Sequence, residues 1–465
     1  MDRVYKSKDE LLQIANNALH VPFGQLNKTD KFDSIKGGVG QMVEESVFEY
    51  SVNSNSEPDI PNLGIEIKTT PVIKKQNGEL KAKERLVLGI INYMEENLDS
   101  FYDSHFWYKN KDLLILFYEH NLKLPKSLWE FFKYLDYQWP EEDLEIIKQD
   151  WKKITNKIKA GKAHELSESD TLYLGACTKG ATAESSERQQ PYSNIKAKQR
   201  AYSLKQSYMN YIVKEYVLGN KQSEKIIKSS DILKKSTFED IIFDTVKPYI
   251  GKTQLQLINE LNIIPSKQTN ASIISKILKV NDDVEKTEEF QKANIMVKTI
   301  RIESNGNIKE SMSFPTFKFK DIIQQNWEDS DFNNILSCAK FMFVIFQKVD
   351  NTEENSVFKG VKFWHMPTED IIEAKKCWEE TKNTIIKGVK FIPTTTGFRN
   401  NLPGQADNRV AHVRPHASKS YYYFDNKHFV GNRKDGDELP DGRWMTKQCF
   451  WLNRDYIKNV ICGKD

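Results

Sequence analysis

The chain has 465 residues, of which 39% are hydrophobic and 29% charged, and its formal net charge is +3. That length predicts two domains or more, and the lack of any apolar run of about 18 residues excludes a membrane-spanning helix. The five cysteines are scattered without a CxxC spacing, and the first residues lack an apolar signal core. Both observations predict a cytoplasmic protein with reduced thiols. So small a net charge neither requires nor excludes nucleic acid as a partner, because local patches matter more than the sum.

The first third of the chain is predicted to mix helices with strands. Apolar residues recur there either at helical spacing or in short runs bounded by turn residues. The predicted elements are, in chain order, a helix at 39–50, a strand at 63–73, an Asn77-Gly78 turn, strands at 86–93 and 112–118, and a helix at 142–161.

The second half of the chain repeats this order of motifs. GIEIKTT at 64–70 has a counterpart in NIMVKTI at 294–300, and KDLLILFY at 111–118 has one in AKFMFVIF at 339–346. Because the matches keep one order at similar spacing, they predict a duplicated domain. Further matches are Trp151 with Trp378, Gly161 with Gly388, and LKQSY at 204–208 with TKQCF at 446–450.

A boundary between the two copies is predicted within residues 217–236, which are polar and rich in lysine and serine. Such a composition is typical of a linker. The sequence therefore predicts an α/β protein with a first domain at 1–216 and a second domain at 237–465.

The stretch EPDIPNLGIEIKTTP at 57–71 is the strongest candidate for a catalytic site. Successive side chains of a strand alternate between faces, so Glu66 and Lys68 share one face. Pro61 and Gly64 let the chain bend, which brings Asp59 towards Glu66. Two clustered carboxylates repel each other unless a cation binds them, and a hard ion such as Mg²⁺ suits oxygen ligands. A lysine beside them can hold water or offset charge on a phosphate.

The alternative interpretation is that this pair is a solvated surface pattern. Glu-x-Lys is common in so charged a chain, and most such pairs have no catalytic role. The apolar strand around the pair and the upstream Pro58-Asp59 favour a catalytic site here. Other occurrences are Glu79–Lys81, Glu373–Lys375 and Glu380–Lys382.

The second copy differs from the first where this chemistry would lie. Met296 stands at the position of Glu66, and Glu289 falls opposite Asp59. The second copy therefore keeps the strand and lacks one of the carboxylates.

These motifs resemble the PD-(D/E)xK nuclease superfamily. The run KGGVGQMVEE…PDIPNLGIEIKTTPV at 36–72 is similar to the MutH-like family, and the full length resembles its two-lobed, GATC-cutting type II restriction endonucleases. Segments such as HVRPH at 412–416 and WMTKQCFWLNRDYIK at 444–458 extend the resemblance. It implies two MutH-like domains in tandem, each a mixed sheet flanked by helices.

The resemblance implies catalytic roles for Glu44, Asp59, Glu66, Lys68 and Lys109. Asp59 and Glu66 would bind Mg²⁺, and Glu44 would help to orient the site from the preceding helix or, alternatively, is a surface residue. The loop lysine fits Lys109 best, with Lys111 as the rival position.

The resemblance also implies DNA contacts. Lys36 would lie near the target adenine, and Arg200 would read the recognition sequence, since arginine pairs bidentately with guanine. Residues 189–214 are basic, aromatic and free of acids, although a solvated basic loop would look the same. The predicted DNA-binding residues are Lys36, Lys196, Lys198, Arg200, Lys205, Arg414 and Lys447.

The function implied is Mg²⁺-dependent hydrolysis of double-stranded DNA at 5′-GATC-3′, with the cut before the guanine. The second half would be a catalytically silent DNA-binding lobe that modulates the first, so that two DNA sites are held at once or a dimer forms on DNA. A cognate methyltransferase is expected in the same system, although not as a physical partner. The alternatives are a nicking endonuclease of the mismatch-repair type and a DNA-binding protein that does not cleave.

Overall fold

The computed structural model of the chain describes its residues outside a few short gaps. No helix among these residues combines the length and hydropathy that a bilayer crossing needs. Two compact units are present, one formed by Met1–Ile242 with Leu278–Ile295 and the other by Phe243–Ile277 with Met296–Asp465. The described residues are 3–28, 37–51, 57–75, 78–94, 100–180, 186–220, 223–350, 352–395, 397–425 and 427–463.

Helices are distributed over both units. Within the described part of the chain, three of the α-helices continue into π-helical turns, at Val43–Val47, Val213–Val217 and Ile457–Ile461. The α-helices of the described residues are α1 Lys8–Asn17, α2 Phe23–Leu26, α3 Gly38–Met42, α4 His105–Asn110, α5 Glu141–Lys159, α6 Gln206–Ile212, α7 Ser230–Leu233, α8 Phe238–Val246, α9 Gln254–Glu260, α10 Thr269–Ile277, α11 Glu288–Ala293, α12 Phe319–Ile322, α13 Asp331–Cys338, α14 Thr368–Lys387 and α15 Arg454–Tyr456.

Strands form several small sheets. In the described residues they are β1 Ile65–Lys74, β2 Leu80–Ala82, β3 Leu86–Ile90, β4 Asp112–Glu119, β5 Phe131–Tyr137, β6 Leu174–Thr178, β7 Glu187–Gln190, β8 Ser193–Lys198, β9 Arg200–Leu204, β10 Ile295–Ile302, β11 Met312–Thr316, β12 Lys340–Gln347, β13 Val357–Trp364, β14 Phe391–Thr394, β15 Gly397–Asn400, β16 Ala411–Pro415, β17 Tyr422–Phe424, β18 Lys427–Val430, β19 Gly436–Glu438, β20 Trp444–Thr446 and β21 Gln448–Leu452.

The main sheet of the first unit has the order β2-β1-β4-β5. β1 runs parallel to β4, with Ile65 opposite Asp112, and β2 and β5 pair antiparallel at the two edges. A second sheet has the order β3-β9-β6. The predicted strands at 63–73, 86–93 and 112–118 are confirmed. The predicted turn joins β1 to β2 instead, with Gly78 at φ +86°, and Asn77 lies outside the described residues.

The long helix predicted at 142–161 is α5. Acidic residues occupy its first turn and lysines its last turn, which complements the helix dipole. The predicted helix at 39–50 is only partly α-helical. It begins at Gly38, widens into a π-helical turn at Val43 and ends before Phe48. Glu49 then adopts a left-handed conformation with φ +53°, so Tyr50 lies outside the helix.

The second unit repeats backbone hydrogen bonds that connect the strands of the first unit. Its sheets have the orders β10-β12-β13 and β11-β21-β16. His120 N donates to Val72 O at 2.8 Å after β4, and Lys348 N donates to Ile302 O at 2.8 Å after β12. These backbone bonds agree with the predicted duplication of an α/β domain.

The helices of the two units correspond as well. Tyr208 Oη donates to Asp143 Oδ2 at 2.6 Å in the first unit, and Tyr456 Oη donates to Asp370 Oδ2 at 2.7 Å in the second. Both aspartates lie in the first turn of a long helix, α5 or α14.

One of the predicted repeat matches is wrong. LKQSY was paired with TKQCF, but Leu204 pairs with Leu86 and Leu174, while Leu452 pairs with Met312 and Ala411. The strand registers therefore make Leu204 and Leu452 equivalent, and TKQCF lies at the other end of its strand. Similar letters misled here because the register is fixed by backbone pairing.

Residues 278–295 belong to the first unit although they lie in the second half of the sequence. Lys292 of α11 is 1% exposed, and its ammonium contacts Asp143 and Glu288, each at 2.6 Å. The boundary predicted at 217–236 separates the two copies in the sequence. The two compact units are instead defined by which residues pack together, so the two divisions differ. The predicted domain boundaries stay a prediction.

Candidate active site

A tight turn before β1 folds Asp59 back onto the strand. Gly64, with φ +69°, closes the turn by donating from its amide to Ile60 O at 2.9 Å. Asp59 N donates to Glu66 Oε2 at 3.0 Å, and Ile67 N donates to Asp59 Oδ2 at 2.9 Å. These reciprocal bonds hold the two carboxylates side by side, as the bend expected from Pro61 and Gly64 requires.

Two lysines approach Glu66, whose side chain is only 1% exposed. Lys68 Nζ lies 2.5 Å from Glu66 Oε1, and Lys109 Nζ lies 3.5 Å from the same oxygen. Lys109 also donates to Glu57 O at 3.1 Å. By contrast, Lys111 Nζ lies 5.9 Å from the centre of the Tyr108 ring. Of the two rival lysines, Lys109 is the one that contacts the carboxylate.

The position of Lys109 follows from α4. Ser104 caps this helix by accepting a bond from Trp107 N at 3.1 Å. The helix leads directly into β4, whose first residue, Asp112, lies opposite Ile65 at the start of β1. The last turn of α4 is therefore held beside the same end of β1 that carries Glu66.

Glu44 adds a third carboxylate from the π-helical turn. Burial raises its pKa, and the negative charge of Asp59 raises it further, to about 7. Lys68 opposes this shift. The predicted orientation of Glu44 towards the site thus agrees with its electrostatic surroundings.

The charge balance of the site fits a divalent cation. Burial alone would lower the pKa of Lys68, but the carboxylates of Glu66 and Asp59 outweigh burial and raise it. Three carboxylates, each able to offer oxygen ligands, face two ammonium groups. No complete cluster of three metal-binding side chains exists within the described ranges. Mg²⁺ is commonly held by only one or two carboxylates together with water and phosphate, which fits Asp59 and Glu66.

The predicted DNA-binding residues of the first unit lie in different settings. Lys196 and Lys198 are exposed on β8. Arg200 is half-buried at the start of β9 and donates to Ala176 O at 2.6 Å, and burial lowers its pKa. Lys36 lies outside the described residues.

Lys205 has a structural contact. Its side chain is buried, and its ammonium donates to Thr171 O at 2.5 Å. The predicted DNA contact of Lys205 stays a prediction, and it would require this buried ammonium to become accessible.

The two predicted DNA-binding residues of the second unit, Arg414 and Lys447, lie near each other. Arg414 is exposed on β16, with its guanidinium carbon 4.6 Å from the centre of the Trp451 ring. His416 N donates to Lys447 O at 2.9 Å. Such a basic and aromatic surface is compatible with contacts to a nucleic-acid backbone.

The counterpart of the site in the second half lacks the same arrangement. Met296 packs against the hydrophobic core of the second unit. Glu289 accepts bonds from Ile226 N at 3.0 Å and from Ile227 N at 2.7 Å, so it serves the backbone of the first unit. The chain keeps one constellation of this kind among its described residues.

Tyr50 is a site neighbour that the sequence did not single out. Its place in the apolar spacing of 39–50 indicated a core residue. In the structure its ring is buried, yet the charges that raise the pKa of its phenol, after burial itself, are those of Asp59, Glu44 and Glu66.

Comparisons with known proteins agree with this picture. A family model described as the DNA mismatch repair enzyme MutH matches residues 48–150 and 278–375, one segment in each copy. The type II restriction enzyme Sau3AI of Staphylococcus aureus is 38% identical over 487 aligned residues, which cover 98% of this chain and 99% of that protein. The DNA mismatch repair protein MutH of Shewanella woodyi is 29% identical over 186 residues, which cover 39% of this chain and 78% of that protein.

Proposed function

This chain belongs to the MutH-like family of type II restriction enzymes, and from that premise we propose that it cleaves double-stranded DNA at 5′-GATC-3′, before the guanine, with Mg²⁺ as its cofactor. The observation that carries the proposal is the cluster of Asp59, Glu66 and Lys68, in which Lys68 Nζ lies 2.5 Å from Glu66 Oε1. The target sequence and the position of the cut come from the family resemblance.

In the proposed reaction a water oxygen attacks the phosphorus, and the bond from phosphorus to the 3′ oxygen breaks. The products are a 3′-hydroxyl and a 5′-phosphate. Asp59 and Glu66 would hold Mg²⁺, which when bound supplies an activated water and charge neutralisation at the phosphate. Lys68 offsets the charge that develops on the phosphate oxygens. Lys109 adds a second positive charge and steadies the turn through its bond to Glu57 O.

We propose that the second half is a catalytically silent lobe that binds DNA. Met296 in place of the glutamate supports its silence, and Arg414 with Lys447 supports DNA contact. Holding two GATC sites on one DNA molecule would raise the apparent affinity without any new contact. Because GATC is a palindrome, cutting both strands requires two events or two paired copies of the protein, which fits dimerisation on DNA.

The test is a plasmid assay with mapped ends. The protein is incubated with plasmid DNA containing GATC, either with Mg²⁺ or with a chelator, and the ends are sequenced. Glu66→Gln is the site variant. Glu79→Gln is the matched control, because Glu79 also begins a Glu-x-Lys motif but is exposed and paired with Lys75.

Double-strand ends at GATC that need Mg²⁺, and that vanish in Glu66→Gln alone, are expected. Nicks without double-strand ends would favour the mismatch-repair type of activity instead. Binding without any cleavage would contradict the proposal and favour a DNA-binding protein. Wild-type cleavage by Glu66→Gln would show that the site lies elsewhere.

A further inference from the structure

Tyr50 is held between the two segments that carry the site's acids. Its amide donates to Glu44 O at 3.0 Å, and the left-handed conformation of Glu49, with φ +53°, turns the chain so that this bond forms. The Tyr50 ring belongs to the same hydrophobic cluster as Val43 of the π-helical turn and Ile60 of the Asp59 turn. The ring position is therefore fixed by packing on both sides.

The phenol of Tyr50 has an unusual environment for a buried hydroxyl. The residue is 5% exposed. No group among the described residues meets full hydrogen-bond geometry with its oxygen, and the side-chain hydrogen-bonding interaction that raises its pKa is with Asp59. Burial raises its pKa, and Asp59, Glu44 and Glu66 raise it further, in that order. The packing of the ring against Val43 and Ile60 places the phenol between the segments that carry Glu44 and Asp59, and among the acids Asp59 exerts the strongest effect on its pKa.

A structural tyrosine would look different. Buried hydroxyls are nearly always paired, and leaving one unpaired costs free energy. Tyr5 illustrates the structural case, since its buried hydroxyl donates to the carbonyl of Phe48 at 2.5 Å. A phenylalanine would fill the place of Tyr50 equally well without an unpaired oxygen. The hydroxyl of Tyr173 is also unpaired among the described residues, so what distinguishes the hydroxyl of Tyr50 is its interaction with Asp59.

We propose that Tyr50 is a positioning residue whose phenol O–H donates to the Asp59 carboxylate and orients it for the divalent cation. One oxygen of Asp59 is already fixed by Ile67 N at 2.9 Å, and a second donor fixes the plane of the carboxylate. Groups that orient metal ligands in this way typically change metal affinity by about 10- to 100-fold. This inference rests on the proposed function, because it requires that Asp59 binds a metal ion.

The experiment compares Tyr50→Phe with Tyr173→Phe in the full chain. Tyr173 is the matched control because it is also buried and its hydroxyl is also unpaired among the described residues, whereas Asp143 heads the acids that raise its pKa. Mg²⁺ binding is measured by calorimetry without DNA. The Mg²⁺ concentration for half-maximal cleavage and the melting temperature are measured in parallel.

Tyr50→Phe is expected to weaken Mg²⁺ binding by about 10-fold or more, while Tyr173→Phe binds Mg²⁺ as the wild type does; the melting temperatures establish that both variants are folded. In an Asp59→Asn background the Tyr50→Phe exchange should have no further effect on Mg²⁺ binding. Wild-type Mg²⁺ affinity in Tyr50→Phe would overturn the inference.

The two proposals can fail separately. If the wild type cuts GATC with Mg²⁺ while Tyr50→Phe matches it in every readout, only the role of Tyr50 is wrong. If Tyr50→Phe loses Mg²⁺ affinity in a protein that does not cut GATC, the role of Tyr50 stands and the proposed function is wrong. If the wild type binds no Mg²⁺, both are wrong.

Discussion

Strands β1 and β10 are counterparts, and they differ where the chemistry would be. β1 carries Glu66 and Lys68, whereas β10 carries Met296 and Lys298. The hydrogen bonds that end the neighbouring strands are the same in both units, so the frame of the sheet does not depend on the acids. The comparison teaches that the fold and the site are separable, since one strand can lose a carboxylate without losing its place in a sheet.

The segments next to the two strands also differ in the charged side chains that they carry. Ser104 caps α4 and Ser330 caps α13, each through its hydroxyl, yet α4 carries Lys109 in its last turn and α13 carries no lysine. Before the strands, Asp59 faces Glu66, whereas Glu289 accepts backbone bonds. The acid of the second half bonds to the backbone, whereas that of the first half lies beside a second carboxylate.

The largest expected effect is the loss of cleavage in Glu66→Ala. A metal ion contributes several kcal/mol of transition-state stabilisation, so the rate should fall about a thousandfold or more. Met296→Ala, at the counterpart position, should cut as the wild type does. Rates are measured on supercoiled GATC plasmid at saturating Mg²⁺. A comparable loss in Met296→Ala would show that the second copy takes part in the reaction.

The next effect concerns stability, where the two units again differ. Asp143 is paired with Lys292, which is 1% exposed, whereas the equivalent Asp370 is paired with Arg409, which is 55% exposed. Lys292→Met leaves buried carboxylates without a cation and should cost about 3–5 kcal/mol of unfolding free energy. Arg409→Met should cost about 1 kcal/mol, because water screens the exposed guanidinium and Tyr456 Oη still donates to the buried carboxylate of Asp370. Urea unfolding checks both, and equal losses would contradict the distinction.

Much of the fold and of the site could be predicted from the sequence. The alternation of Ile65, Glu66, Ile67 and Lys68 gave the two faces of β1, and Gly64 gave the turn that returns Asp59. These features depend only on residues that are close in the sequence, so short sequence patterns are enough to predict them. Their prediction needed no knowledge of the neighbouring strands.

Other features could not be predicted because they depend on packing between distant segments. The choice between Lys109 and Lys111 is decided by how α4 enters β4. The burial of Lys205 depends on Thr171, and the equivalence of Leu204 with Leu452 depends on strand registers. The π-helical turn after Met42 also replaced the regular helix that the apolar spacing predicted.

Lys109→Ala should lower the cleavage rate by about 10²–10³-fold, the usual cost of removing one charge-stabilising donor from an active site. Lys111→Ala is the matched control, since the residue is two positions away and its ammonium lies beside Tyr108. Binding of a GATC duplex in a chelator should be similar in both variants. An equal loss of rate in Lys111→Ala would contradict the assignment of Lys109.

The smallest effect is a pH dependence that only the first unit should show. The pKa of Glu44 is raised from 4.5 to about 7, by burial and then by Asp59, whereas α10, which lies at the matching sequence distance before β10, carries no carboxylate in TNASIISKI. Between these pH values the folded state binds more protons than the unfolded chain, so the stability contributed by Glu44 falls as the pH rises.

Glu44→Gln removes this titration. In a chelator the variant should be more stable than the wild type by about 2 kcal/mol at pH 8 and nearly equal to it at pH 4. Urea unfolding at both pH values provides the measurement. Mg²⁺ should reduce the difference at pH 8, because a bound cation stabilises the charged carboxylates of the wild type and offsets what burial costs them. A difference that is the same at both pH values would mean that Glu44 does not titrate against its neighbours, and the three acids would then not form a single electrostatic site.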